Sequence, residues 1–324
     1  MLEETKFNGI DAVKIINRKG DELTILTGVG PRIISYKTSD FNRNFFYVNE
    51  KDFENYIQNP ENWYIFGGTR IWLSPETKAS YIPDNKKCHV SKDEKNNKLV
   101  VYSEPDKELK IVKKITIQPL EKSFRITYSI INTSEYLLQG GIWVLSCLEP
   151  LTGFKIYIPW GEEREDEETN DKKIRQAGLK EQDKFNKFKW NIKEIKFWKS
   201  WLGVKTNILS KQWKQTEEFF IIEPSGETGK IGLSNRMGYA IYTDGKFSFV
   251  KYSPYIESAN YPDDGCSFEF YTSREFYEVE TLSPLFTLKP LKEYIHTELW
   301  WAGTEKIDLS SISSAKMDIK KLLI

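Results

Sequence analysis

Phe124-Arg125-Ile126-Thr127-Tyr128-Ser129-Ile130-Ile131-Asn132 sets Phe124, Ile126, Tyr128 and Ile130 at every second position against mostly polar partners. Successive side chains of a strand point to opposite faces, so period-two alternation marks a half-buried strand. Short β-type runs recur on both sides of it. Upstream, Val13–Arg18 and Glu22–Leu26 are joined by Lys19-Gly20-Asp21, a hairpin turn. Gly28-Val29-Gly30-Pro31 is a break, after which Arg32–Tyr36 resumes; Phe45–Val48, Lys98–Ser103 and Leu109–Gln118 follow. Downstream, Gly140–Leu148 and Phe154–Pro159 read as buried strands, and Phe219–Glu223, Gly238–Thr243, Lys246–Tyr252, Ser267–Thr272, Phe276–Thr281 and Tyr294–Trp300 continue the series. Asp244-Gly245 between two of these is a hairpin signal. Helical patterning is scarce: a short helix over Asp52–Ile57, stopped before Pro60, and a helical tail over Lys306–Ile324 with Leu309, Ile312, Met317, Ile319, Leu322 and Leu323 as packing residues. The expectation is an all-β antiparallel sandwich in one domain, 1–324, without internal repeat.

Composition narrows the function. The 324 residues carry 47 basic and 47 acidic side chains, which cancel, so no global field points to nucleic acid or to an anionic membrane. No apolar run approaches the roughly 20 residues of a membrane span, and Met1-Leu2-Glu3-Glu4 opens without an apolar signal segment; a soluble cytoplasmic protein is expected. Cys88, Cys147 and Cys266 are isolated, which indicates neither a disulfide framework nor a zinc knuckle. Aromatics make up 14% of the chain, and they serve both strand cores and aromatic-lined sugar clefts. Gly161–Lys199 breaks the β pattern. It begins acidic and turns basic, with Phe185, Phe188, Ile192, Ile195 and Leu202 at helical spacing. Its acidic half would repel a polyanion, which favours a charged excursion docked on the sandwich over a nucleic-acid or membrane grip.

The densest chemistry lies in Trp63-Tyr64-Ile65-Phe66-Gly67-Gly68-Thr69-Arg70-Ile71-Trp72-Leu73-Ser74-Pro75-Glu76, followed by Tyr81-Ile82-Pro83-Asp84-Asn85. The glycine pair permits conformations closed to other residues or a close approach to a ligand. Arg70 offers a planar fork of donors among aromatic faces. Arginine, carboxylates, an amide and tryptophan together suit a polyhydroxylated ligand. The alternative is that Trp63, Phe66, Ile71 and Leu73 are core and Glu76 holds an interior Arg70. Tyr261-Pro262-Asp263-Asp264-Gly265 echoes the Pro-Asp-Asn turn; such aspartates cap turns, and calcium is the alternative for an oxygen-rich turn, although the spacing is not that of an EF-hand. In Tyr277-Glu278-Val279-Glu280-Thr281-Leu282-Ser283-Pro284-Leu285, a strand puts Glu278 and Glu280 on one face, opposite Tyr277 and Val279. That arrangement reads as a partly buried acid pair, in which one desolvated carboxyl serves as general base or acid, or as an exposed face of alternating charge. His296, one of two histidines with His89, sits in the closing run as a structural residue. No nucleophile elbow, phosphate-binding glycine loop or zinc-protease motif is present, and no cofactor or metal is called for.

The Gly67–Glu76 run with Tyr81 and Pro83-Asp84-Asn85 resembles an uncharacterised bacterial and archaeal family of the galactose mutarotase-like superfamily. So do Tyr261-Pro262-Asp263 with Gly265, Phe268-Glu269, and Glu278–Leu285 with Glu298-Leu299-Trp300. The resemblance spans most of the chain and is weakest from Gly161 to Lys214. It implies a β-supersandwich whose cleft binds a carbohydrate. In aldose mutarotases an early strand-borne arginine and a late glutamate in a Glu-Thr context face the sugar; these match Arg70 and Glu280. The glutamate takes the anomeric hydroxyl proton while a histidine gives one to the ring oxygen. Here the histidine that follows the middle Asn-rich strand has no counterpart after Asn132, where Gly141-Ile142-Trp143-Val144-Leu145-Ser146 stands. Loss of such a general acid removes a factor of about 10²–10⁴, and Asp84, Glu76 and His89 are the groups left to replace it. Sugar binding is therefore better supported than epimerisation. The expected set is Glu280, Asp84 and His89 for catalysis, with Arg70, Trp72, Glu76, Asn85, Glu278 and Asp263 for binding. A non-catalytic carbohydrate-binding or regulatory module, and a lyase or hydrolase accessory in which Arg70 pairs a substrate carboxylate, are the alternatives. Open sheet edges admit a homodimer.

Overall fold

A computed structural model describes residues 2–41, 43–93, 95, 97–160, 195–198 and 205–324. Two large antiparallel sheets make up the molecule. The first runs, in spatial order, β1 (Leu2–Phe7), β2 (Ile10–Ile16), β3 (Glu22–Leu26), β4 (Arg32–Lys37), β5 (Thr69–Ser74), β10 (Leu138–Leu148), β19 (Tyr277–Leu282), β18 (Phe268–Thr272), β15 (Gly229–Leu233) and β12 (Ile195–Phe197), with β20 (Phe286–Leu288) paired to β10. The second runs β13 (Trp213–Gln215), β14 (Phe219–Ile222), β11 (Lys155–Pro159), β16 (Tyr239–Thr243), β17 (Ser248–Tyr252), β21 (Glu293–Gly303), β9 (Ser123–Asn132), β8 (Ile111–Pro119), β7 (Lys98–Tyr102) and β6 (His89–Asp93). Helix α1 (Glu50–Gln58) packs Phe53 near Phe66, and α2 (Ile312–Leu322) closes the chain. No described helix is long and apolar enough to cross a membrane.

Alternation decides what each sheet buries. Phe124, Ile126, Tyr128 and Ile130 of β9 enter the core between the sheets, as do Ile142, Val144 and Leu148 of β10. Around Tyr36 the rings of Phe45, Phe124, Phe249 and Trp300 pack with centroids 5.6 to 6.4 Å apart. On the far face of the second sheet, Ile312, Ala315, Ile319 and Leu322 of α2 cover Tyr239, Ile241, Val250 and Trp301. The helix begins at Ile312 rather than Lys306 because Ser311 caps it, accepting from Ser314 N at 3.1 Å. Met317, expected to pack, is instead exposed.

Two further expectations change. Phe45–Val48 is no strand: Phe45 N donates to Tyr36 O, Tyr47 N to Cys147 O and Asn49 N to Phe66 O, so its bonds go to different neighbours and no ladder forms. The helical stripe of the charged excursion lies mostly outside the described residues. Where described, at Ile195–Phe197, the chain is strand β12, pairing with β15 and packing Ile195 and Phe197 against the core.

Gly67 and Gly68 serve the protein's own backbone. At φ +93° and +66° they occupy the left-handed region, and a Cβ on Gly67 would lie 2.0 Å from Tyr47 O, one on Gly68 2.2 Å from Ile33 O. Their smallness lets three chain segments meet where β5 starts. Gly68→Ala combines forbidden backbone with overpacking and is expected to cost about 2 kcal/mol or more, read as a lower unfolding midpoint in urea at unchanged slope.

Candidate functional site

The face of the first sheet turned away from the core carries charge. Strand β5 alternates so that Ile71 enters the core while Arg70 and Trp72 point outward; β10 sends Trp143, Leu145 and Cys147 outward, and β19 sends Glu278, Glu280 and Leu282. Register lines up one row across six strands: Arg70 opposite Leu145, Leu145 opposite Glu280, Glu280 opposite Glu269, Glu269 opposite Gly232, and Gly232 opposite Lys196 of β12. A second row sets Trp72, Trp143 and Leu282 side by side.

Arg70 Nη2 reaches Glu278 Oε1 at 3.1 Å, and its guanidinium lies 4.6 Å from the centre of the Trp72 ring. Cys147 Sγ lies between them, 3.4 Å from Arg70 Nη1 and from Glu278 Oε1. Two strands away, Lys230 Nζ stands 2.9 Å from Glu269 Oε2 and 3.1 and 3.0 Å from the two Glu280 oxygens. Trp143 Nε1 donates to Glu280 Oε2 at 2.6 Å. The Lys230 ammonium also lies 4.7 Å from the Trp143 ring centre and 5.7 Å from that of Trp198. Gly232 makes room for this: a Cβ there would come 2.5 Å from Trp198. Glu269 and Glu280 are wholly buried.

Burial alone would lower the pKa of Arg70 and of Lys230; Glu278 and Cys147 outweigh it for the first, Glu269 and Glu280 for the second, and both are held protonated. Glu280 is raised by burial, with Lys230 opposing. Burial raises Glu269 to about 8 against the pull of Lys230, with Glu280 and Asp263 adding to the rise.

Solved structures share this architecture. A galactose mutarotase-like protein of Lactobacillus casei superposes with a TM-score of 0.54 at 11% identity over 90% of this chain and 100% of its own. A galactose mutarotase related enzyme of Lactobacillus acidophilus gives 0.52 at 12% over 92% and 100%, and a galactose mutarotase-like protein of Clostridium acetobutylicum 0.52 at 13% over 94% and 98%. The chain has the galactose mutarotase-like fold. No protein-family model and no curated protein matches the sequence.

On this mutarotase-like scaffold the nine expected residues separate. Arg70, Trp72, Glu278 and Glu280 share the charged face, and the partner of Arg70 is Glu278 rather than Glu76. Glu76 accepts a hydrogen bond from Tyr81, whose ring packs edge-on to Trp72 at 5.2 Å and to Trp63 at 5.1 Å. Asp84 stands at the margin: both its oxygens lie 3.4 Å from Arg32 Nη2, while Arg32 Nη1 donates to Ile65 O and Gly67 O. Burial would raise Asp84, but Arg32 and Lys113 outweigh it and hold it ionised. A cavity of about 480 Å³ opens beside Trp72 and Asp84, walled by Pro75, Ile82, Leu109 and Lys113. The Asn85 amide is engaged by Pro60 O and Asn62 O at 2.7 and 2.6 Å. Asp263 sits in a turn with Asp264, both at left-handed φ, where Lys196 contacts Asp263 O and Asp264. His89 does not join: it is exposed on edge strand β6, bound to Glu104 and stacked 4.9 Å from Tyr102. His296 lies between the sheets, 3.0 Å from Thr281 Oγ1, where burial lowers it to about 4.

Lys230, Trp143 and Arg32 were given no role from the sequence, and Glu269 entered only within the resembling Phe268-Glu269 pair. Gly229-Lys230-Ile231-Gly232-Leu233 and Phe268-Glu269-Phe270 both carry the signal, a charge alternating with core residues in a strand. The raised Glu269 carboxyl also sets a pH dependence. A folded pKa above the unfolded one contributes stability below about 4.5 that is lost as pH rises through about 8. The unfolding midpoint of the wild type relative to Glu269→Gln is therefore expected to fall between pH 5 and pH 9; a constant difference across that range contradicts the assignment.

Proposed function

We propose that the charged face of the first sheet binds a mono- or oligosaccharide and interconverts its anomers. One observation carries the reading: Arg70 from early in the chain and Glu280 from late in it stand in one row of the same sheet face, with tryptophans on the adjoining row. Arg70 presents donors to ring hydroxyls, Trp72 supplies an apolar plane for the C–H face of a sugar, and Glu278 fixes the guanidinium. Glu280 is the base for the anomeric hydroxyl. Burial beside Trp143 and Lys230 gives it the low-dielectric surroundings in which a carboxylate is a stronger base than in water.

A second reading is favoured by the grip on Glu280. Lys230 and Trp143 occupy both its oxygens, and neither histidine shares its face. A carboxylate so held is a good fixed acceptor, and a site of this kind binds sugar without chemistry. Saturation-transfer NMR against a panel of aldoses, with anomer-exchange rates on those that bind, separates the two. Arg70→Ala is expected to weaken binding by about 10-fold or more, the scale of a lost charge-assisted contact. Glu280→Gln is expected to leave binding within a few-fold and to cut exchange by about 10²–10⁴-fold. Binding with no acceleration over buffer leaves the binding-only reading; no binding by any aldose removes both.

A further inference from the structure

Three carboxylates, Glu269, Glu278 and Glu280, and two cations, Arg70 and Lys230, make up the buried cluster on this face. Arg70 is taken by Glu278, and Lys230 is shared by the other two. Two adjacent buried carboxyls sharing one ammonium are most stable with one proton between them. Their surroundings decide which keeps it. Glu280 receives hydrogen bonds from Trp143 and Lys230, donors that suit an ionised acceptor. Among the described residues Glu269 Oε1 is buried with no hydrogen-bond partner, and the favourable contact of this carboxyl is the 2.9 Å approach of Lys230 to Oε2. The groups that face Glu269 from neighbouring elements are Lys230 on β15, Glu280 on β19, and Asp263 and Cys266 on the Pro262–Gly265 turn and just after it. Of these, Glu280 and Asp263 disfavour a negative charge on Glu269, and burial pushes the Cys266 thiol up so that it stays neutral. Asp263 Oδ2 is itself buried without a partner, held by a backbone with two successive left-handed non-glycine residues.

We propose that Glu269 is the proton donor of this site, paired with Glu280 as acceptor across Lys230, and so supplies the acid that no histidine provides. The proposal rests on the anomer-interconverting reading above. Glu280 takes the proton of the anomeric hydroxyl, a carbonyl forms at C1, the C1–ring-oxygen bond breaks with its electron pair on the ring oxygen, and Glu269 protonates that oxygen. After rotation about C1–C2 the steps reverse: the ring hydroxyl attacks C1 and returns its proton to Glu269, and Glu280 reprotonates the carbonyl oxygen. No proton or electron is gained or lost over the cycle. A sugar reaches Glu269 by taking the place of the Trp198 ring, which fills the space above Gly232, the neighbour of Glu269 in the row.

The full-length protein tests this with a sugar found to bind. Anomer exchange by the wild type is expected to fall on the alkaline side with an apparent pKa near 8 as the donor is lost. Glu269→Gln is expected to lower kcat by about 10²–10⁴-fold, to abolish that alkaline limb and to leave sugar affinity within a few-fold; Glu269→Asp restores part of the rate. Infrared spectra at pH 7 are expected to show a protonated-carboxyl band that disappears in Glu269→Gln. If the wild type accelerates exchange and Glu269→Gln does so equally, or keeps the alkaline limb, the donor assignment is overturned while the functional reading stands. If the wild type binds sugar and accelerates nothing, both fall.

Discussion

Lys230 stands between two carboxylates that the sheet forces together. Glu269 and Glu280 are Cα partners on adjacent strands and point to the same face, so register sets them side by side, and both carboxyls converge on Lys230. Two like charges about 4 Å apart repel by about 4 kcal/mol even at an effective dielectric of about 20. Neither group is exposed to solvent. Without an ammonium within 3.1 Å of both, the arrangement would be tolerated only with a protonated acid, and even with it the cluster retains a carboxyl in excess of its cations. Lys230 is placed there by β15, Trp143 by β10 and Trp198 by the residue after β12, so the site depends on strands drawn from widely separated parts of the chain.

A second buried pair shows what a structural charge looks like in the same molecule. Glu298, between the sheets, is met by Lys251 at 3.2 Å and accepts from Tyr128, Thr281 and Trp300. Lys251 in turn donates to Ser146 Oγ and Val279 O. Fully satisfied networks of this kind stiffen a core. On the outer face, Glu269 and Asp263 each keep a buried oxygen without a hydrogen-bond partner among the described residues, as do Tyr36 Oη and the Gln212 amide elsewhere. Lys251 and Glu298 form a closed pair inside the core, while the outer-face cluster holds one more carboxyl than cation.

The sandwich was legible because most strands bury one face, and period two survives in the sequence as Phe124, Ile126, Tyr128 and Ile130. The same rule put Glu278 and Glu280 on one face, opposite Tyr277 and Val279, as observed. It failed where strands bury both faces. In Thr69–Ser74 and Gly229–Leu233 the outer side holds a lone charge beside Trp72 or Gly232, so the alternation runs between core and buried ion rather than between core and solvent. Partner choice was illegible for a different reason. Glu76 is near Arg70 in sequence, but Glu278 meets it through β10 pairing with both β5 and β19. Register over some two hundred residues of intervening chain carries no local signal.

The same logic limits what the fold alone conveys. At 11–13% identity, neighbours such as those of Lactobacillus and Clostridium share the architecture with few identical side chains. A sheet preserves positions: a row that crosses β5, β10, β19, β18 and β15 presents the same lattice of sites whatever residues fill it. With an acid at one point, a second acid at the adjacent point and a lysine between them, such a lattice can hold a proton without a histidine. The proton affinity of a buried carboxyl such as Glu280 therefore turns on its neighbours more than on the fold. In this chain those neighbours are Lys230, Trp143 and Glu269, which register brings together from β15, β10 and β18.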